Sequence, residues 1–110
     1  MYNFNFYNPT RIFFGKDQLS NINNSVPADA RVLITYGGGS AKRSGLIDKV
    51  KTILGSRTVV EFGGIEPNPR YETLMKAVDV VRNENIDFIM AVGGGSVIDG
   101  TKFISLASHY

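Results

Sequence analysis

At 110 residues the chain has the length of one domain, with room for a modest buried core. Apolar residues make up 43% and charged residues 20%, as in an ordinary globular protein, and 12 basic against 10 acidic side chains are spread without a block of one sign, which argues against a nucleic-acid binder. Without cysteine there is no disulfide frame or thiolate metal site; with no run near the roughly 20 apolar residues of a membrane helix and no signal-peptide pattern, the chain reads as cytoplasmic.

Asn3-Phe4-Asn5-Phe6 alternates polar and apolar residues, the period of a half-buried strand. Asn8-Pro9-Thr10 breaks it, Arg11-Ile12-Phe13-Phe14 forms a second short strand, and Gly15 ends that one. The pair predicts a β-hairpin, which could lie as an edge on its own domain or pair with another chain. Asp17 suits the N-cap of a short helix carrying Leu19 and Ile22. Residues 31–36 are a buried strand that runs into Gly37-Gly38-Gly39-Ser40. Leu46, Ile47, Val50, Ile53 and Leu54 recur at helical spacing, and Gly55 closes that helix.

Thr58-Val59-Val60-Glu61-Phe62 is the next strand, followed by the loop Gly63-Gly64-Ile65-Glu66-Pro67-Asn68-Pro69. In that loop Asn68 can cap the following helix and Pro69 can take its first position. Tyr71, Leu74, Met75, Val78 and Val81 predict the helix, with Asn83 to Asn85 at its end. A strand over 87–92 then runs into Gly93-Gly94-Gly95-Ser96. In the last helix Val97, Thr101, Ile104 and Ala107 share one side, with Ile98, Phe103 and Leu106 beside it. No stop signal follows, so the chain reads as the front part of something longer. Strands alternating with amphipathic helices predict an α/β fold with a parallel sheet and right-handed crossovers.

Two Gly-Gly-Gly-Ser turns at equivalent places carry the functional signal. Glycine lets a ligand approach the backbone, free N–H groups at a following helix start favour an anion, and serine adds a hydroxyl donor. Neither turn is the Gly-x-Gly-x-x-Gly fingerprint or a Walker loop: Lys42 and Ile98 stand where the last glycine of the fingerprint belongs. Lys42 and Arg43 after the first turn suit a terminal phosphate monoester, or are solvated surface charges. Glu61 ends its strand roughly where a ribose-binding acid lies in dinucleotide folds, but reads better as a surface acid. Asp99 either accepts hydrogen bonds from a sugar or amide, or pairs with Lys102. His109, the one histidine, is no credible base or metal ligand alone. These residues make a binding site without catalytic or metal-ligating residues.

Gly93-Gly94-Gly95-Ser96-Val97-Ile98-Asp99-Gly100-Thr101-Lys102 resembles the Gly-Gly-Gly-Ser-x-x-Asp-x-x-Lys motif of the iron-containing (group III) alcohol dehydrogenases. Thr35-Tyr36-Gly37-Gly38-Gly39-Ser40 and Glu61-Phe62-Gly63-Gly64-Ile65-Glu66-Pro67-Asn68-Pro69 resemble its NADP-dependent butanol dehydrogenase and aldehyde reductase branch. Asn8-Pro9-Thr10-Arg11-Ile12-Phe13-Phe14-Gly15-Lys16 resembles the family's opening. The resemblance implies a Rossmann-like N-terminal domain over 1–110, preceded by a β-hairpin, that binds the cofactor.

By that resemblance Gly94, Gly95 and Ser96 match positions that hold the pyrophosphate. Asp99 matches one near the ribose or nicotinamide side, and Asn68 lies in the Pro-Asn-Pro loop near the cofactor. Gly38, Gly39 and Ser40 match the adenosine-phosphate end, where glycine in place of aspartate points to NADP rather than NAD. A divalent metal, iron or zinc, belongs to a helical second domain, so this chain alone is expected to be inactive. The whole enzyme would transfer hydride between NADPH and an aldehyde, as a homodimer joined through the N-terminal hairpins. Dehydroquinate synthases and glycerol dehydrogenases are related alternatives, though Ser96 and Lys102 favour the alcohol dehydrogenases. A non-catalytic nucleotide-binding or oligomerisation module is the alternative of another class.

Overall fold

A computed structural model of the chain describes residues 10–13, 26–38, 45–93 and 95–108. Its elements in order are β1 (Thr10–Phe13), β2 (Arg31–Tyr36), α1 (Leu46–Leu54), β3 (Thr58–Phe62), α2 (Tyr71–Asn83), β4 (Phe88–Val92) and α3 (Gly95–Ala107). The four strands form one sheet in the order β1-β4-β2-β3, and every neighbouring pair is parallel. The predicted α/β class and the three helix stripes are present, and Gly55 is the C-cap of α1.

β2 and β4 lie in the middle of the sheet and are buried on both faces, so they read as continuous apolar runs. On one face Val32, Ile34, Phe88, Met90 and Val92 pack against Ile47, Val50 and Leu54 of α1. On the other, Leu33, Ile89 and Ala91 meet Leu74, Ala77, Val78 and Val81 of α2 and Val97 and Ile104 of α3. The chain leaves β2 through α1 to β3 on the outside, then returns through α2 to β4 on the other side of β2. Crossovers that run in opposite directions keep one hand only if their helices lie on opposite faces, as they do here.

The second strand of the predicted hairpin is present as β1, one residue earlier than its apolar run suggested, and it pairs in parallel with β4. Its predicted partner at Asn3–Phe6 and the short helix after Asp17 lie outside the described residues. α2 begins later than expected: Arg70 is its N-cap, extended at φ −81° and ψ 146°, so neither Asn68 nor Pro69 opens the helix. The reason is Glu66. Its carboxylate accepts hydrogen bonds from the Arg70 backbone N–H (3.3 Å) and the Thr73 hydroxyl (2.9 Å), which holds the chain extended up to the first turn. At the other end Asn85 takes a left-handed conformation, φ 54°, just past the end of the helix. Among the described residues no helix is long and apolar enough to cross a membrane.

Candidate functional site

Strand order reverses direction between β2 and β4, and in open parallel sheets that is where a crevice opens beyond the carboxyl ends of the strands. Both glycine turns leave from those two ends. A third segment, the loop after β3, joins them. The Gly64 N–H donates to the Gly37 carbonyl (2.8 Å) and the Ile65 N–H to the Tyr36 carbonyl (3.2 Å), which extends the sheet pairing past the end of β2. From the other side the Ser96 hydroxyl donates to the Pro67 carbonyl. Residues 36–38, 63–69 and 95–97 therefore meet at one edge of the sheet.

Beneath this edge the Thr35 and Thr101 hydroxyls, both fully buried, stand 2.7 Å apart and tie β2 to α3. The Thr101 hydroxyl also lies 2.7 Å from the Val97 carbonyl one turn back, and Thr35 lies 3.4 Å from the Met90 carbonyl. The pair thus links the Thr35 side chain of β2 to backbone oxygens of β4 and of α3. Gly100 serves the same packing: a Cβ there would stand 3.1 Å from Leu74 Cδ2 of α2.

The glycines of the turns differ in what they do. Gly93 has φ +152°, and a Cβ on it would stand 2.9 Å from a Val97 methyl, so backbone and packing both require glycine. Among the described residues nothing lies within 4 Å of where a Cβ on Gly38 or Gly95 would be, which leaves the backbone at both turns uncovered by them. Gly95 is the first residue of α3, whose first turn carries no acidic residue. With no acidic residue in that first turn, the N–H groups a helix start leaves unpaired and the positive end of its dipole favour an anion there.

α1 begins at Leu46, with Gly45 as N-cap and Asp48 in its first turn; residues 39–44, which follow the first glycine turn, lie outside the described residues.

Of the residues predicted for the site, Gly38, Asn68, Gly95, Ser96 and Asp99 are described, and Gly39, Ser40 and Gly94 lie outside the described residues. So do Lys42, Arg43 and His109. Gly38, Asn68, Gly95 and Asp99 are exposed and Ser96 is half-buried. Asn68 stands in the joining loop between Pro67, which accepts from Ser96, and Pro69, which packs near Gly100. Asp99 makes no ion pair with Lys102 among the described residues, so that alternative is set aside.

Three participants were not legible in the sequence. Tyr36 lies across Gly63, where a Cβ would fall 2.3 Å from its ring, and its hydroxyl donates to Glu61 Oε1 (3.2 Å). Lys51 of α1 pairs with Glu61 Oε2 at 2.7 Å. Glu61 is therefore not the free surface acid its place suggested. Glu66 is held below the usual carboxylate range by its own backbone amide, then by the Thr73 hydroxyl and by Arg70. The only hint of these contacts is a polar residue at a strand or loop position that periodicity leaves unassigned.

Among the described residues no group of three His, Cys, Asp or Glu side chains could hold a metal ion, so no step through a metal follows from them. The open backbone at Gly38 and Gly95, with the acid-free first turn of α3, does fit the phosphates of a dinucleotide.

Comparison with known proteins bears on the same residues. The family model for iron-containing alcohol dehydrogenase matches residues 9–110. The chain is 58% identical to the NADPH-dependent aldehyde reductase YqhD of Escherichia coli, over all of this chain and 28% of that protein. It is 47% identical to probable NADH-dependent butanol dehydrogenase 1 of Bacillus subtilis, over all of this chain and 29% of that protein. The substrate- and cofactor-free structure of YqhD superimposes with a TM-score of 0.84, over 99% of this chain and 29% of that one. The chain spans less than a third of the length of these relatives.

Proposed function

We propose, from the fact that the chain belongs to the iron-containing alcohol dehydrogenase family, that these residues form the dinucleotide-binding part of an NADP-dependent alcohol dehydrogenase or aldehyde reductase. The observation that carries this is the meeting of both glycine turns with the joining loop at the carboxyl ends of β2 and β4. In this reading Gly94, Gly95 and Ser96 receive the pyrophosphate at the start of α3. Gly38, Gly39 and Ser40 receive the adenosine phosphate, and Asn68 and Asp99 border the ribose and nicotinamide side. The names of the relatives support the same class: one is an NADPH-dependent aldehyde reductase, another an NADH-dependent butanol dehydrogenase.

Bound NADPH supplies the hydride that an aldehyde would accept. The part of the work that falls to these residues is to bind and orient. The N–H groups of α3 neutralise phosphate charge, and Ser96, anchored to Pro67, fixes the joining loop against the second turn. We assign the metal and most of the substrate pocket to a helical second domain, so the 110-residue chain alone binds but does not turn over. We also assign it to the cytoplasm and to a homodimer joined at the N-terminal hairpin, a reading supported by β1 standing at one end of the four described strands.

The test is an amide-resolved NMR titration of this chain with NADP and, separately, NAD. The expected outcome is a set of shifts confined to Gly38–Ser40, the joining loop and Gly94–Asp99, larger with NADP. Silence at millimolar cofactor from a folded chain would sink the reading.

A further inference from the structure

Between Ile65, whose N–H is bonded to the Tyr36 carbonyl, and the start of α2 lie five residues, Glu66 to Arg70. Glu66 closes this stretch. Its Oε1 accepts from the Arg70 backbone N–H at 3.3 Å, and its Oε2 accepts from the Thr73 hydroxyl, in the first turn of α2, at 2.9 Å. The amino end of a helix favours a negative charge. The carboxyl is held below its usual range by its own backbone amide first and then by Thr73. Both oxygens are thus committed to the start of α2.

Two of the three residues enclosed by this closure rest on α3. The Pro67 carbonyl accepts from the Ser96 hydroxyl, and Pro69 Cγ lies 3.7 Å from where a Cβ on Gly100 would stand. Their rings also fix φ, which leaves the stretch few alternatives once its ends are tied. Asn68, between them, is exposed, and among the described residues its side chain makes no hydrogen bond. An amide on a segment ordered beforehand loses less entropy on meeting a ligand than one the ligand must order.

We infer that Glu66 is a positioning residue for the cofactor: by closing residues 66–70 onto α2 it holds the Asn68 amide in place at the sheet edge where the two glycine turns meet. Thr73 completes the device as the donor that α2 supplies. This inference rests on the dinucleotide reading of the same site. It adds to that reading a residue whose contacts are with α2 and which acts on the cofactor only through Asn68.

The experiment measures NADP affinity by amide-resolved titration of the wild-type chain, Glu66→Ala, Asn68→Ala and the double variant. A loop that is binding-competent in about one molecule in ten lowers apparent affinity about tenfold, which is the loss expected of Glu66→Ala. Asn68→Ala should lose a similar factor. The double variant should bind within about twofold of Asn68→Ala alone, because the effect of Glu66 runs through the Asn68 amide. A merely structural role, which lowers stability whatever stands at 68, would instead make the two losses multiply. If Glu66→Ala lost its dispersed amide spectrum, Thr73→Val would be read in its place, since it removes one donor and leaves the loop sequence intact. Its expected loss is about threefold, the scale of one neutral hydrogen bond, and it too should vanish beside Asn68→Ala. Wild-type affinity in either folded single variant, or losses that multiply, overturns the proposal while leaving the dinucleotide site standing. No shifts in the wild-type chain at millimolar NADP overturn both.

Discussion

Gly93 and Gly95 stand two positions apart in one turn, and an added methyl group meets opposite fates at each. At Gly93 it would have to coexist with φ +152° and a Val97 methyl 2.9 Å away. Gly93→Ala should therefore lower stability by about 1–3 kcal/mol, read as a shifted urea midpoint. At Gly95 the methyl enters open space at the first position of a helix, where alanine is the better helix former. Gly95→Ala should hold stability or raise it by up to about 1 kcal/mol. It should nevertheless weaken NADP binding by about tenfold, the equivalent of one hydrogen bond to a charged group. A Gly95→Ala chain that bound NADP like the wild type would show that the phosphates do not approach α3 there. Three consecutive glycines advertise a turn, but the sequence does not say which one bears backbone strain and which one leaves room for a ligand. That distinction needs φ and the position of Val97.

Among the elements, the joint between β2 and α3 is the one on which both turns depend. Thr101 was legible as a member of the buried helix stripe, but not as half of a hydroxyl pair, because Thr35 lies in a strand far away in sequence and only the packing of α3 on the sheet brings them to 2.7 Å. Thr101→Val should cost about 1–2 kcal/mol in equilibrium unfolding, since the buried Thr35 hydroxyl is left with only the Met90 carbonyl at 3.4 Å. Thr35→Val/Thr101→Val should cost less than the two single changes together, by about 0.5–1 kcal/mol, because it leaves no orphaned hydroxyl. Strict additivity would mean that the two hydroxyls do not support each other. Element boundaries follow the same logic. α1 could be read from its stripe and from Gly55, because both signals are local. The start of α2 could not, because it is decided by Glu66 reaching forward to Arg70 and Thr73. The partner of β1 could not be read either, since a strand of four residues, two of them apolar, carries no label that favours β4 over its neighbours in sequence.

For the molecule as a whole, the site is built where the most stable strands end. β4 has strand neighbours on both edges and a helix layer on each face, and β2 is placed in the same way between β4 and β3. β3 has one described neighbour and is half-exposed along most of its length. Opening an amide in β2 or β4 requires disrupting both layers of the core, whereas β3 can detach with less loss of buried surface. Native-state hydrogen exchange should therefore find the slowest amides in Val32–Thr35 and Phe88–Val92, exchanging near the global unfolding limit, with those of β3 faster. The turn amides at Gly38, Gly95 and Ser96 should exchange fastest of these, since the first two are exposed and Ser96 is only half-buried. Saturating NADP should then slow the turn amides selectively, beyond the uniform increase that mass action adds to globally exchanging sites. If NADP slowed every amide by the same factor, binding would be reporting only on global stability and the local role of the turns would fail. If β3 proved as protected as β4, the sheet would be bounded by something other than the four described strands. A rigid central pair with open turns at its carboxyl end is the arrangement a cofactor domain needs: the strands fix the spacing of the two turns, which is where the proposed phosphate contacts lie.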